Sequence, residues 1–405
     1  MTDSIEKSFK ISVADEALDL LRQKLSLARF PDELEDAGWN YGVPLSHMKR
    51  LVEFWKNGYD WRRVESELNA TLPMFTRDVE VDGHGVLNIH YVHTKSKIDG
   101  AIPLLLVHGW PGSMLEFCKI IPLLLSPSTD NAPAFHVVAL SLPGYGFSEA
   151  PKKTGFGPAE MGEVGHKLML ALGYDEYVCQ GGDWGFAVTN HIAAAYGPKH
   201  AKAWHTNMAY SLPPKAFSEP LHYLRYLLTP YTESEKQALA RQSQMDIDGR
   251  GYWVQQATKP QTLAYALADS PVGLLGWIYE KLVAWTDAYP WTDEEVLTWV
   301  SLYWFSRAGP AASLRIYFEY RMEQAALAGR KLVVNVPTGI SYFPKDFQSP
   351  KTWTRSMGKI VMDAEHDRGG HFAAYEVPEL FTGDLRRMFG RGGPAFGVVA
   401  RNDGY

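Results

Sequence analysis

The chain has 405 residues, 46% of them hydrophobic, and a formal net charge of −6. That length accommodates one large α/β domain with an insertion, and the charge gives no reason to expect nucleic acid or an anionic membrane as a partner. Two cysteines, Cys118 and Cys179, make neither a disulfide framework nor a metal site, and they fit a reducing compartment.

The first ten residues are polar with mixed charge and lack the apolar core of a signal peptide. No run of about 18 apolar residues occurs, so no membrane-spanning helix is expected. The expectation is a soluble, intracellular (cytoplasmic) protein. Residues 1–75 read as a helical, irregular segment that packs on the rest of the chain. Leu18, Leu21 and Leu25 recur at helical spacing, as do Met48, Leu51 and Trp55. A hairpin follows: Val79 and Val81 alternate, residues 82–85 turn, and Leu87, Ile89 and Tyr91 alternate again.

From residue 102 the pattern becomes strand, loop, helix. The apolar runs at 102–107 and 135–140 suit buried parallel strands, and 161–172 has helical periodicity. A third short strand at 177–179 runs into a sharp glycine-rich turn, and a helix is expected at 186–196. The alternation then stops. Residues 212–325 read as helical and aromatic, with ten of the chain's 21 tyrosines and six of its 13 tryptophans. That density suits a lid over an apolar cavity better than another sheet layer. Strands resume at 332–336 and 359–362. The expected fold class is α/β: a mostly parallel central sheet flanked by helices, its core at 76–211 and 326–405, with a helical lid and an N-terminal helical extension. The tail at 390–405 carries five glycines and is expected to lie loose on the surface.

The turn at 181–185 reads Gly-Gly-Asp-Trp-Gly. This is the spacing of a nucleophile elbow with aspartate at the centre instead of serine. A carboxylate attacking a carbonyl would give an anhydride, a poor intermediate. Attacking a saturated electrophilic carbon, it gives an alkyl ester that water can cleave. An ordinary aspartate is ionised at neutral pH and needs no base to activate it. Epoxides come first as substrates, alkyl halides second. The alternative is a structural turn whose aspartate caps the next helix.

Cleaving such an ester needs a base for water. His371 follows Arg368-Gly369-Gly370 beyond the last expected strand, and His366, in what reads as a solvated turn, is its rival. Asp346 is expected to orient His371, with Glu365 and Asp363 as competitors. The oxyanion needs donors, expected from the backbone N–H groups of Trp110 and Trp184. His108 reads as a histidine that holds its loop. The mechanism requires neither metal nor organic cofactor.

HGWPGS at 108–113, GGDWG at 181–185 and GGHF at 369–372 together resemble an epoxide hydrolase of the α/β-hydrolase superfamily. Phe9 and Ile11, the Leu18 helix, Ala28-Arg29-Phe30-Pro31 and Trp39 are similar to the N-terminal segment of the microsomal-type branch. Microsomal members carry an N-terminal membrane anchor; the expectation here is a chain that begins at the soluble segment, similar to the soluble fungal or bacterial type. The resemblance implies two lid tyrosines that donate to the epoxide oxygen, at Tyr252 and Tyr317, with Tyr320 and Tyr265 as fallbacks. It implies a small hydrophobic epoxide and water as the reacting partners. Family members are often homodimers, but the sequence carries no interface signal. Two other readings stay open: a haloalkane dehalogenase, with Trp184 as a halide donor, and a non-catalytic relative that binds a small hydrophobic molecule.

Overall fold

The computed structural model describes residues 5–126 and 132–405; the first four residues of the expected N-terminal segment lie outside the described residues. Among those described, nine strands form one sheet: β1 (Lys7–Phe9), β2 (Met74–Val81), β3 (Gly85–Thr94), β4 (Ile102–Val107), β5 (Phe135–Leu140), β6 (Tyr177–Gly181), β7 (Ala201–Thr206), β8 (Pro337–Tyr342) and β9 (Lys359–Glu365). Their spatial order is β1-β2-β3-β5-β4-β6-β7-β8-β9. The first four in that order pair antiparallel, and β5 through β9 pair parallel. All six residues of β4 are buried, as a strand covered on both faces requires. The fold is the α/β-hydrolase fold.

Two strand expectations need correction. Residues 332–336 are not a strand; the strand begins at Pro337. Val334 and Val336 are buried all the same, packed against the places where Gly358 and Gly197 lack a side chain. Strand β7, unforeseen, carries His205 and Thr206 into the interior, where each finds a hydrogen-bond partner.

Between β7 and β8 the chain is helical. Thr232 and Thr292 each cap a helix in a reciprocal box with a glutamate three residues on, Glu235 and Glu295. Prolines open three others, at 220, 260 and 271, where a missing N–H costs nothing. The N-terminal helices Asp15–Ser26, Leu45–Asn57 and Trp61–Thr71 bury the expected Leu18, Leu21, Leu25, Met48, Leu51 and Trp55. Lys24 pairs with Asp269 at 2.6 Å and Arg63 with Glu294 at 2.5 Å, tying this segment to the helices that precede β8. Among the described residues no helix is long and apolar enough to cross a membrane.

The tail is not loose. Gly404 N–H donates to Gly100 O at 2.7 Å, Ala134 N–H donates to Gly404 O at 2.9 Å, and Asn402 donates to Ala101 O. Ala395 and Val399 are buried. Glycine is what allows the contact: a side chain at Gly404 would collide with Pro133. Gly100, Ala101 and Ala134 stand at the starts of β4 and β5, so the tail closes the N-terminal edge of the parallel strands.

Candidate active site

Four loops meet at the opposite edge, where the parallel strands end. They follow β4, β6, β8 and β9, and they carry Trp110, Asp183, Asp346 and His371. Open α/β sheets place their chemistry at this edge.

Asp183 joins β6 to the helix Trp184–Tyr196 with φ +49° and ψ −125°, backbone that a side-chain-bearing residue rarely adopts. The flanking glycines make the turn possible. A Cβ at Gly181 would strike the backbone of Gly185, one at Gly185 would strike Val107 O, and one at Gly109 would strike the Asp183 carboxylate. Trp110 N–H donates to Asp183 Oδ1 at 2.7 Å. Asp183 also stands at the N-cap position of the helix Trp184–Tyr196, where the dipole favours negative charge, although its side chain makes no capping bond.

His371 Nε2 lies 3.5 Å from Asp183 Oδ2, and its Nδ1 lies 2.8 Å from Asp346 Oδ1. Both partners of the second contact are buried, with side chains 5% and 1% exposed. Phe347 N–H donates to the same Asp346 oxygen, while Asp346 Oδ2 is buried without a partner. Burial by itself would lower the His371 pKa; the carboxylates of Asp346 and Asp183 outweigh it and hold the imidazole well above its ordinary value. The loop is set by His371 N–H donating to Trp285 O at 2.9 Å.

The rivals are engaged elsewhere. Glu365 pairs with Lys351 and Asp363 with Arg355. His366 is not in a solvated turn: it stacks on Phe343 and reaches Asp384. His108 holds its loop as expected. Its Nε2 accepts Leu142 N–H, its Nδ1 donates to Gly109 O, and burial lowers its pKa to about 4.

A cavity of about 360 Å³ opens above Asp183, lined by Tyr252, Tyr317, Tyr320, Trp184 and apolar side chains such as Phe186 and Met208. Tyr252 stacks on Trp110, and its ring centre lies 6.0 Å from that of Tyr317. Arg321 binds the helix bearing Tyr317 to the one bearing Tyr252 by donating to Ala257 O. Burial and the Asp183 charge push both phenols well above the ordinary tyrosine value, so each keeps its proton at neutral pH. The Tyr317 hydroxyl is buried without a partner. Tyr265 is 71% exposed and lies outside this cavity, so it falls away as a fallback.

One acidic residue was missed. Glu116 folds its carboxyl into the space that Gly112 leaves by lacking a side chain. The residue as a whole is only partly buried, but its carboxyl lies deep enough that burial raises its pKa to about 8; the His371 charge works against that shift and the Asp183 charge with it. In the sequence it reads as an ordinary surface glutamate, and only the neighbouring Gly112 hints otherwise.

Residues 6–117 match the family model described as Epoxide hydrolase N terminus, and residues 102–252 match that of the alpha/beta hydrolase fold. The chain is 35% identical over 415 residues to Epoxide hydrolase 1 of Sus scrofa, covering 96% of this chain and 89% of that one. The solved epoxide hydrolase of Aspergillus niger is 33% identical with a TM-score of 0.81, covering 94% of this chain and 95% of that one. The juvenile hormone epoxide hydrolase of Bombyx mori is 32% identical with a TM-score of 0.85, over 94% and 93%.

Proposed function

The chain belongs to the epoxide hydrolase family of the α/β-hydrolase fold, and we propose that it converts an epoxide and water to a vicinal diol through an ester on Asp183. The observation that carries this reading is the two-sided setting of one carboxylate. Asp183 Oδ1 is held by Trp110 N–H at 2.7 Å, and Oδ2 faces His371 beneath two buried, protonated tyrosines.

The epoxide oxygen docks on the hydroxyls of Tyr252 and Tyr317. Asp183 Oδ2 attacks a ring carbon from the opposite side; the carbon–oxygen bond breaks, and its electron pair leaves on the oxygen as a tyrosine protonates it. Oδ1, already held, becomes the ester carbonyl oxygen. His371, oriented by Asp346, takes a proton from water. The hydroxide adds to the carbonyl carbon, and the N–H groups of Trp110 and Trp184 hold the oxyanion. Collapse expels the diol oxygen, which takes its proton from His371. The proton left on the Asp183 carboxyl returns to the tyrosinate. The aromatic cavity favours hydrophobic epoxides.

A single turnover with an aryl epoxide in ¹⁸O-labelled water tests the scheme. Label should enter the peptide containing Asp183, and the first diol should be unlabelled. Label in the first diol would mean direct attack by water, and the ester scheme would be wrong.

A further inference from the structure

His366 has no part in the steps above, yet it is firmly anchored beside them. Its Nε2 lies 2.6 Å from Asp384 Oδ2, and its ring stacks on Phe343 with centres 4.6 Å apart and planes 13° from parallel. Asp384 is buried on the helix Pro378–Phe389. The same Oδ2 accepts Ser341 Oγ–H at 2.5 Å, and Ser341 Oγ lies 3.0 Å from His205 Nε2. Burial lowers His205 to about 4, so its ring is neutral. The one hydroxyl proton of Ser341 goes to Asp384, so Ser341 Oγ accepts from His205 Nε2–H. Hydrogen bonds thus converge on Asp384 from both sides, one through Ser341 and one from His366. Arg387 adds a third donor at 3.3 Å.

This buried network ends on the two loops that carry Asp346 and His371. Phe343 is fully buried and its carbonyl accepts Asp346 N–H at 3.1 Å. Its ring also packs where Gly369, two residues before His371, lacks a side chain; a Cβ there would fall 2.9 Å from the ring. Gly369 O accepts Lys345 N–H at 3.2 Å, next to Asp346. The Phe343 ring therefore lies between the acid loop and the histidine loop, and His366 covers one of its faces.

We propose that His366 and Asp384 are a positioning pair that holds Phe343, and through it sets Asp346 against His371. Groups behind a working histidine fix its orientation, and removing one partner of a buried hydrogen bond leaves the other unpaired. The proposal rests on the two-step reading given above. In that reading Asp346 and His371 act only on the ester, whereas the elbow and Trp110 N–H hold Asp183. Loosening the pair should slow the second step and spare the first.

The test follows tryptophan fluorescence in stopped flow with an excess of aryl epoxide, together with intact-protein mass. His366→Phe keeps a ring over Phe343 and loses Asp384; Asp384→Asn keeps the shape and loses the charge. The expected result is ester formation within about twofold of the unaltered enzyme and ester hydrolysis slowed about 10- to 100-fold, the scale of a small misplacement. The alkylated protein should then accumulate. If His366→Phe does not fold, Asp384→Asn decides alone. Hydrolysis at the unaltered rate would overturn the proposal, as would an equal loss in both steps alongside a lower melting temperature, the mark of a merely structural pair. An unaltered enzyme that forms no ester at all would sink the two-step scheme and this proposal together. Ester formed normally with hydrolysis untouched in the variants would sink this proposal only.

Discussion

Ester formation on Asp183 would change the histidine it faces. Two carboxylates hold His371 well above the ordinary imidazole value, and an ester removes one of them. The histidine would then give up its proton more readily at the step that needs a base. Asp183→Asn imitates that loss of charge, so it should abolish turnover and lower the pH at which His371 titrates, read by NMR of the imidazole. An unchanged titration would mean that Asp183 does not govern this base. The sign is that of a raised pKa: the stabilisation from the charged ring is present at low pH and fades as pH rises through the folded value. Glu116 is an acid raised to about 8, so between the ordinary carboxyl range and 8 the folded form keeps a proton the unfolded form has lost. Stability contributed by that group falls as pH rises across this window. Glu116→Gln should therefore gain on the unaltered protein between pH 5 and pH 8, by melting temperature, and level off above. Parallel curves would show that Glu116 is not buried in this way. That Asp183, Asp346 and His371 would meet was legible from the sequence, because the elbow motif marks the first and the other two follow later strands in the order nucleophile, acid, histidine. Glu116 and His366 were not, since what each touches is set by the fold.

At the scale of elements, the elbow depends on backbone approach. A methyl at Gly185 would meet Val107 O at the end of β4. Gly185→Ala should cost on the order of 3 kcal/mol in urea unfolding, a value reserved for overpacked cores. Native stability in that variant would contradict the close packing of β4 on the helix after Asp183. Strands β4 and β5 were legible to the residue because every position but His136 is apolar. Strands β7 and β8 were not. Thr206, Ser341 and Thr338 bury hydroxyls that donate inside the protein, so a count of apolar residues passes over them. The more apolar stretch at 332–336 draws the eye instead, and packs outside the ladder. Helix existence between β7 and β8 was legible from aromatic content and periodicity, whereas the convergence of Tyr252 and Tyr317 came only from the resemblance.

For the whole molecule, the termini close what the core leaves open. The N-terminal helices brace the helices above the cavity, and the C-terminal tail seals the far edge of the sheet. Deleting residues 395–405 removes two buried side chains and several backbone hydrogen bonds, a loss of about 2–4 kcal/mol. Its melting temperature should drop by several degrees while KM stays unchanged, because the tail lies across the sheet from Asp183. A shift in KM would argue that the two edges communicate. The glycine-rich composition suggested a frayed end, but glycine here permits close contact. The same placement has a practical consequence. The tail segment around Gly404 lies at the edge of the sheet away from Asp183, so a surface-bound catalyst tethered through an exposed side chain there, such as Arg401, would present its cavity to the passing solution. A flow reactor packed with such beads should keep the turnover of the free protein, whereas attachment through the helices above the cavity should throttle it.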